Sequence, residues 1–338
     1  MEQLYIWGEN VPFNSDRSKL DDMDIHMEYT EEDIFVKYPG VFNSASDDVD
    51  DMSGNETLVY RAEIQNGPGE ETYTDKPFLI PYIVPESDRC VISCPGGAYL
   101  TKSMDNEGED IARFLNAAGI SCFVLWYRSY PYKAPVMFRD CQRAIRYVRY
   151  HAKEYGIDED KIGLTGFSAG GNLAGTTVAI FRDSQIEAEG YIPDEIDKVS
   201  AKVNALGLVY PMLSFEKEKV FLACVEGKDC LKNIEKRDRL AGFYTLKNHT
   251  EEGDPPTFLC AAMDDKLISS NQIGEYAQCL RKKGVPCEVH QFEYGGHGFG
   301  GCNEARSTGM FPADYTRAKR WLDLYASWVN ETFDRKSR

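Results

Sequence analysis

Lys161-Ile162-Gly163-Leu164-Thr165-Gly166-Phe167-Ser168-Ala169-Gly170-Gly171 is the stretch of this 338-residue chain that decides its fold. Lys161–Thr165 is a short apolar run and reads as a strand, while Ala169–Phe181 reads as a helix. The chain must turn sharply between them. Gly166 and Gly170 carry no side chains, so strand and helix can approach closely. Ser168 is then exposed on a strained bend at the carboxyl end of the strand, with the Ala169 N–H pointing out of the helix N-terminus. A Gly-x-Ser-x-Gly pentapeptide arises by chance in roughly one chain in ten of this length, and a Gly-rich turn with a helix-capping serine is the plain alternative. The flanking strand and helix make Ser168 a candidate nucleophile.

Working outward, the same rhythm continues. Thr57–Ile64 and Phe78–Val84 read as strands separated by the turn Asn66-Gly67-Pro68-Gly69. Cys90–Cys94 and Ser121–Tyr127 are short buried-type strands, with a helix over Glu107–Ala118 that ends at Gly119. Val136–Tyr155 is a helix with Cys141, Ile145 and Val148 on one face. Val203–Val209, Thr257–Ala262 and Pro286–Phe292 are further strands; Ser270–Lys283 and Ala313–Phe333 are further helices. After an antiparallel start, this alternation implies a mostly parallel sheet covered on both faces, an α/β protein. Ser214–Pro256 is too long for an ordinary connection and is expected to form a small cap or lid, about residues 214–256. Residues 1–56 are acid-rich yet hold aromatics such as Trp7, Phe13 and Tyr29. They are expected to form an N-terminal extension packing on the body, leaving 57–338 as the main domain.

The formal net charge is −17. Such a chain is a poor partner for nucleic acid or an anionic membrane surface and is compatible with a neutral small molecule. The N-terminus lacks a basic region followed by an apolar one, and no apolar run approaches the ~20 residues of a membrane helix. A cytoplasmic protein with no membrane span is expected, with a homo-oligomer compatible with the sequence. The ten cysteines are scattered, with no Cys-x-x-Cys pair and no zinc spacing. They read as reduced structural thiols, with no metal or cofactor expected. Cys94 stands out because it adjoins the proposed site.

Three further groups complete the chemistry. Cys94-Pro95-Gly96-Gly97-Ala98-Tyr99 follows a strand with small residues that let backbone N–H groups approach a developing oxyanion. Pro95 has no N–H, so Gly97 and Ala98, with Ala169, are the candidate oxyanion-hole donors; a plain Pro-Gly-Gly turn is the alternative. Of five histidines, His297 lies in Tyr294-Gly295-Gly296-His297-Gly298-Phe299-Gly300, a loop just after a strand, where a general base can reach the serine. His290 sits inside the strand pattern, and His26, His151 and His249 have no supporting context. Asp265 in Met263-Asp264-Asp265-Lys266-Leu267 follows another strand and is the candidate third member, able to fix the imidazole tautomer, with Asp264 as its rival. The order Ser168, Asp265, His297 differs from those of chymotrypsin and subtilisin.

The chain resembles the bacterial acetyl esterase and acetylxylan-esterase-like (carbohydrate esterase) branch of the α/β-hydrolases, related to hormone-sensitive-lipase-type esterases. The resemblance is carried by Cys94-Pro95-Gly96-Gly97-Ala98-Tyr99, Glu107-Gly108, Trp126-Tyr127-Arg128, Asp140-Cys141-Gln142-Arg143-Ala144-Ile145, Gly166-Phe167-Ser168-Ala169-Gly170-Gly171-Asn172, Tyr210-Pro211, Pro255-Pro256-Thr257-Phe258 and Gly295-Gly296-His297-Gly298-Phe299. It covers roughly residues 75–333. It implies an α/β-hydrolase fold with an eight-stranded, mostly parallel sheet, and hydrolysis of short acyl esters, such as acetyl groups on xylo-oligosaccharides. It also places the acid at Asp265, before the apolar pair Leu267-Ile268, and gives Arg128 and Asp140 a structural ion-pair role. The lipase-like relatives have His-Gly-Gly-Gly where this chain has Pro95-Gly96-Gly97-Ala98; Ala98 still supplies an N–H. An amidase or peptidase of the same fold (a formamidase or prolyl-oligopeptidase relative) and a non-catalytic hydrolase-fold binding protein remain the alternatives, since the triad chemistry is shared.

Overall fold

Five central strands have no exposed position, because both faces of the sheet are covered. Cys90–Cys94 (β6), Ser121–Trp126 (β7), Ala205–Val209 (β9) and Thr257–Ala262 (β10) are buried at every position, and so is Ile162–Phe167 (β8), with Gly163, Thr165 and Gly166 among its residues. The computed structural model describes residues 2–13, 26–29, 34–38, 41–44, 76–130, 132–216, 219–303 and 314–335. The main sheet has eight strands, adding Leu4–Tyr5 (β1), Phe78–Tyr82 (β5) and Cys287–Phe292 (β11), in the order β1-β5-β7-β6-β8-β9-β10-β11. β1 and β5 pair antiparallel at one end. Every pair from β7–β6 through β10–β11 is parallel. His26–Tyr29 (β2), Ile34–Tyr38 (β3) and Val41–Ser44 (β4) form a separate antiparallel sheet. The expected strand Thr57–Ile64 lies outside the described residues.

Residues 2–13 are part of the body. β1 extends the main sheet, Trp7 Nε1 donates to Asp140 Oδ1 at 2.8 Å, and Arg128 Nη1 donates to the Pro12 carbonyl at 2.7 Å. The anchor is the ion pair of Arg128 and Asp140, both fully buried, with Nη2···Oδ1 2.6 Å and Nε···Oδ2 2.9 Å. A buried pair this well hydrogen-bonded costs desolvation, and removing one partner costs about 3–5 kcal/mol.

The helices are Asp110–Ala117 (α1), Val136–Tyr150 (α2), Ala169–Thr176 (α3), Leu222–Glu226 (α4), Ile234–Phe243 (α5), Asn271–Lys282 (α6), Tyr315–Ala318 (α7) and Arg320–Asp334 (α8). Four of the expected helices depart from their expected outlines. α1 is entered through a π-helical turn, Met104–Glu109, and α3 runs into another, Thr177–Phe181. α2 stops at Tyr150, and the chain turns through Gly156 at φ +73°. The expected last helix divides between Ala318 and Arg320, with Ala313 outside the described residues. α3 is buried all round, as befits a helix held between the sheet and its neighbours.

The 214–256 stretch folds as α4, α5 and short 3-10 turns rather than an open loop. It rests on the body: the Tyr244 ring stacks on Phe138 at 5.8 Å, and Val225 O accepts from Ala134 N at 2.8 Å. Among the described residues no helix is long and apolar enough to cross a membrane. All ten cysteines are free.

Candidate active site

Ser168 stands between β8 and α3 at φ 51°, ψ −118°, a conformation an L-residue holds only when its surroundings impose it. Close packing imposes it here. A Cβ on Gly166 would collide with the Gly170 carbonyl, and one on Gly170 with the carbonyls of Cys94 and Pro95. Main-chain bonds fix the bend: Ser168 N donates to Val209 O at 3.1 Å and Met212 N to Ser168 O at 3.2 Å.

The imidazole arrives from the loop after β11. His297 Nε2 lies 2.8 Å from Ser168 Oγ, and His297 Nδ1 lies 2.8 Å from Asp265 Oδ2. The Asp265 side chain is 1% exposed and His297 5%. The other oxygen, Asp265 Oδ1, accepts from Leu267 N and Ile268 N, both at 2.9 Å. Asp264 points elsewhere. Its Oδ1 accepts from Gly296 N at 2.8 Å and so shapes the histidine loop from outside. His290 is engaged with Glu288 at 2.7 Å, His151 with Glu154, and His249 with the Phe243 carbonyl.

The glycine loop after β6 lies against the serine. An ideal Cβ on Gly96 would sit 2.9 Å from Ser168 Cβ and 2.6 Å from Phe167 O. Gly97, Ala98 and Tyr99 follow at φ +132°, +54° and +61°, a run that reverses the chain. The Gly97 carbonyl turns away to accept from Leu100 N and Thr101 N, at 2.8 and 2.9 Å. The N–H groups of Gly97, Ala98 and Ala169 donate to no acceptor among the described residues. Tyr99 is fully buried, and its hydroxyl donates to Asn172 Oδ1 at 2.7 Å, which ties the loop to α3. Cys94 is sealed beneath, its Sγ 3.9 Å from Cys141 Sγ; burial pushes its thiol well above the usual range and denies it thiolate chemistry.

Chemically, the arrangement joins a hydroxyl, an imidazole and a carboxylate in one hydrogen-bonded chain beside main-chain donors. Sequence reading missed the groups that hold this arrangement together. Glu107 is buried, its Oε2 accepts from Gly96 N at 2.5 Å, and its Oε1 accepts from the Tyr210 hydroxyl at 2.8 Å. Tyr210 sets its ring against His297 with centroids 5.0 Å apart. Burial pushes the Glu107 carboxyl up, and the Tyr210 hydroxyl, the Gly96 N–H and nearby His297 pull it back. An acid opening a predicted helix reads as an ordinary first-turn residue, so the one available signal was its place in the resembling Glu107-Gly108 pair.

A family model described as the alpha/beta hydrolase fold matches residues 91–300, and the chain belongs to that family. The proteins it resembles include esterases and a xylanase by name. The acetylxylan esterase of Xylanibacter ruminicola is 29% identical over 220 residues, 63% of this chain and 42% of that protein. Endo-1,4-beta-xylanase B of Butyrivibrio fibrisolvens is 26% identical over 255 residues, 73% of this chain and 38% of that protein. The chain therefore spans about two fifths of the length of these two relatives. Among solved structures, an acetyl ester-xyloside bifunctional hydrolase from Caldicellulosiruptor lactoaceticus superposes with a TM-score of 0.64 at 34% identity, over 76% of this chain and 88% of that one.

Proposed function

We propose that the protein is a serine hydrolase that removes short acyl groups, acetyl foremost, from carbohydrate esters such as acetylated xylo-oligosaccharides. The observation that carries this reading is the continuous path Ser168 Oγ–His297 Nε2 and His297 Nδ1–Asp265 Oδ2, 2.8 Å at each step. His297 takes the Ser168 proton as Oγ attacks the ester carbonyl. The carbonyl oxygen gains the negative charge and is held by the N–H groups of Gly97, Ala98 and Ala169. One such donor supplies about 2.7–4 kcal/mol in the transition state. The C–O bond to the alcohol breaks, His297 protonates the departing oxygen, and an acyl-enzyme remains on Ser168. Water then attacks the acyl carbon and gives its proton to His297, which passes it to Ser168 Oγ as the C–O bond to the serine breaks and the acyl group leaves as the carboxylic acid. Asp265 holds the imidazole tautomer and faces the imidazolium throughout.

The acetyl preference is supported by the named activities of the relatives. The carbohydrate alcohol is supported by those names and by a net charge of −17, which disfavours polyanionic substrates. Residues 214–256 act as the cap that shapes the alcohol side. The test is hydrolysis of p-nitrophenyl esters of graded chain length, acetylated xylo-oligosaccharides, and formamide and peptide substrates, with Ser168→Ala as control. Acetyl esters should turn over fastest and Ser168→Ala should fall to background. Turnover by Ser168→Ala, or a preference for amides, would refute the proposal.

A further inference from the structure

The turn Met104–Glu109 is π-helical, a form that recurs at functional sites. Two adjacent side chains in it reach different loops of the site. Asn106 holds the histidine loop. Its Nδ2 donates to Gly298 O at 2.9 Å, and its Oδ1 and carbonyl oxygen both accept from Gly301 N, at 3.0 and 2.9 Å. Glu107, 4% exposed, holds the glycine loop through Gly96 N and the Tyr210 hydroxyl through its second oxygen. The Tyr210 oxygen in turn accepts from Gly300 N at 2.9 Å. A single carboxylate therefore links the loop that would face the oxyanion to the loop that carries the imidazole.

We propose that Glu107 is a positioning residue: its carboxylate clamps the Gly96–Ala98 loop to the His297 loop through Tyr210, and its charge faces the imidazolium formed when Ser168 loses its proton. The inference rests on the serine-hydrolase reading above. An acid that merely satisfied stray donors would influence stability alone. Charge at this place also acts on the proton path. Among the described residues, Glu107 faces Tyr210 from the end of β9, His297 from the loop after β11, and Asp105 from its own turn. His297 is bonded to Asp265, Asp264 lies beyond Gly296, and Tyr210 also faces Cys302.

Glu107→Gln separates the two effects, because its amide keeps the shape and one acceptor while removing the charge. The full chain is assayed with p-nitrophenyl acetate beside wild type, Ser168→Ala and Tyr210→Phe, with thermal unfolding of each. In Glu107→Gln, kcat should fall about tenfold with KM within about twofold. The acid limb of its kcat/KM profile should move to lower pH by about half a unit or more, because an imidazolium without this counter-charge gives up its proton more readily. Tyr210→Phe cuts the clamp but keeps the charge, so kcat should fall with a smaller movement of the limb. Wild-type kcat and an unmoved acid limb in Glu107→Gln, with Ser168→Ala inactive, would overturn the inference and leave the hydrolase reading standing. Activity in Ser168→Ala would overturn the reading beneath it. If Glu107→Gln does not fold, an unchanged kcat in Tyr210→Phe overturns the clamp, and a fall supports it.

Discussion

Ser168 and His297 meet at 2.8 Å by opposite means. The serine is held by close packing: a buried strand, a buried helix, glycines whose missing side chains let the Cys94 and Pro95 carbonyls close in, and main-chain bonds to Val209 and Met212. The histidine sits in a loop whose Gly295, Gly296, Gly298 and Gly300 all have positive φ and which dictates little by itself. Other elements hold it: Asp264 and Asp265 after β10, Asn106 before α1, Tyr210 after β9, and Trp321 of α8, whose Nε1 donates to Gly300 O at 2.9 Å. A site can therefore combine one group fixed by packing with another fixed by polar tethers. The two should fail differently, the first through unfolding and the second through loss of activity in a folded protein.

The sharpest way to break the tethered half is the carboxylate pair. Asp265→Asn should lower kcat by about 10⁴-fold, because the amide favours the wrong imidazole tautomer. Asp264→Asn, which only loosens the Gly296 N–H contact, should cost about tenfold or less; steady-state kinetics of the two variants decides, and equal losses would mean that both carboxylates serve the imidazole alike. The packed half should respond in stability. Gly170→Ala forces a Cβ against the Cys94 carbonyl and should cost about 3 kcal/mol or more, read by denaturant unfolding.

A third measurement uses the interior beside the glycine loop. Lys102 is 2% exposed; its amine lies over the Trp126 and Tyr127 rings and donates to Ser129 Oγ at 2.8 Å. Burial pushes its ammonium from 10.5 down to about 7. Between those two values the unfolded chain holds more protons, so this residue makes stability rise with pH across that window. Below about 7 the folded protein bears the full cost of the buried charge. Wild type should gain about 2 kcal/mol relative to Lys102→Met between pH 7 and pH 9.5 in denaturant titrations, and a constant difference would contradict it. The smallest effect belongs to Asn106→Ala, which releases Gly298 and Gly301: about a threefold fall in kcat with the unfolding midpoint nearly unchanged. A large drop in stability there would mean the histidine loop is packed like the serine bend.

Much of the sheet was legible because its strands are short apolar runs between turn residues. Cys90–Cys94 and Thr257–Ala262 fall where the pattern puts them. β1 left no trace, since two residues at a sheet edge carry no periodicity. The anchoring of Trp7 on Asp140 was equally hidden, because it joins residues 133 positions apart. Asp264 and Asp265 share composition and context, and only the resemblance separated them. In the structure the difference is one of direction, one carboxylate toward Nδ1 and the other toward Gly296 N.

What the chain's sequence determined alone is the local part: a strand, a glycine-bounded bend and a helix that set the half-buried Ser168 at the carboxyl end of the strand, because sterics between neighbouring residues act over a few positions. Which acid meets the imidazole, and which side chains hold the histidine loop against that bend, was decided only in three dimensions. Hydrogen bonds and burial there depend on groups up to about two hundred residues apart, as Asn106 and Gly301 are, and no short-range pattern encodes such a meeting.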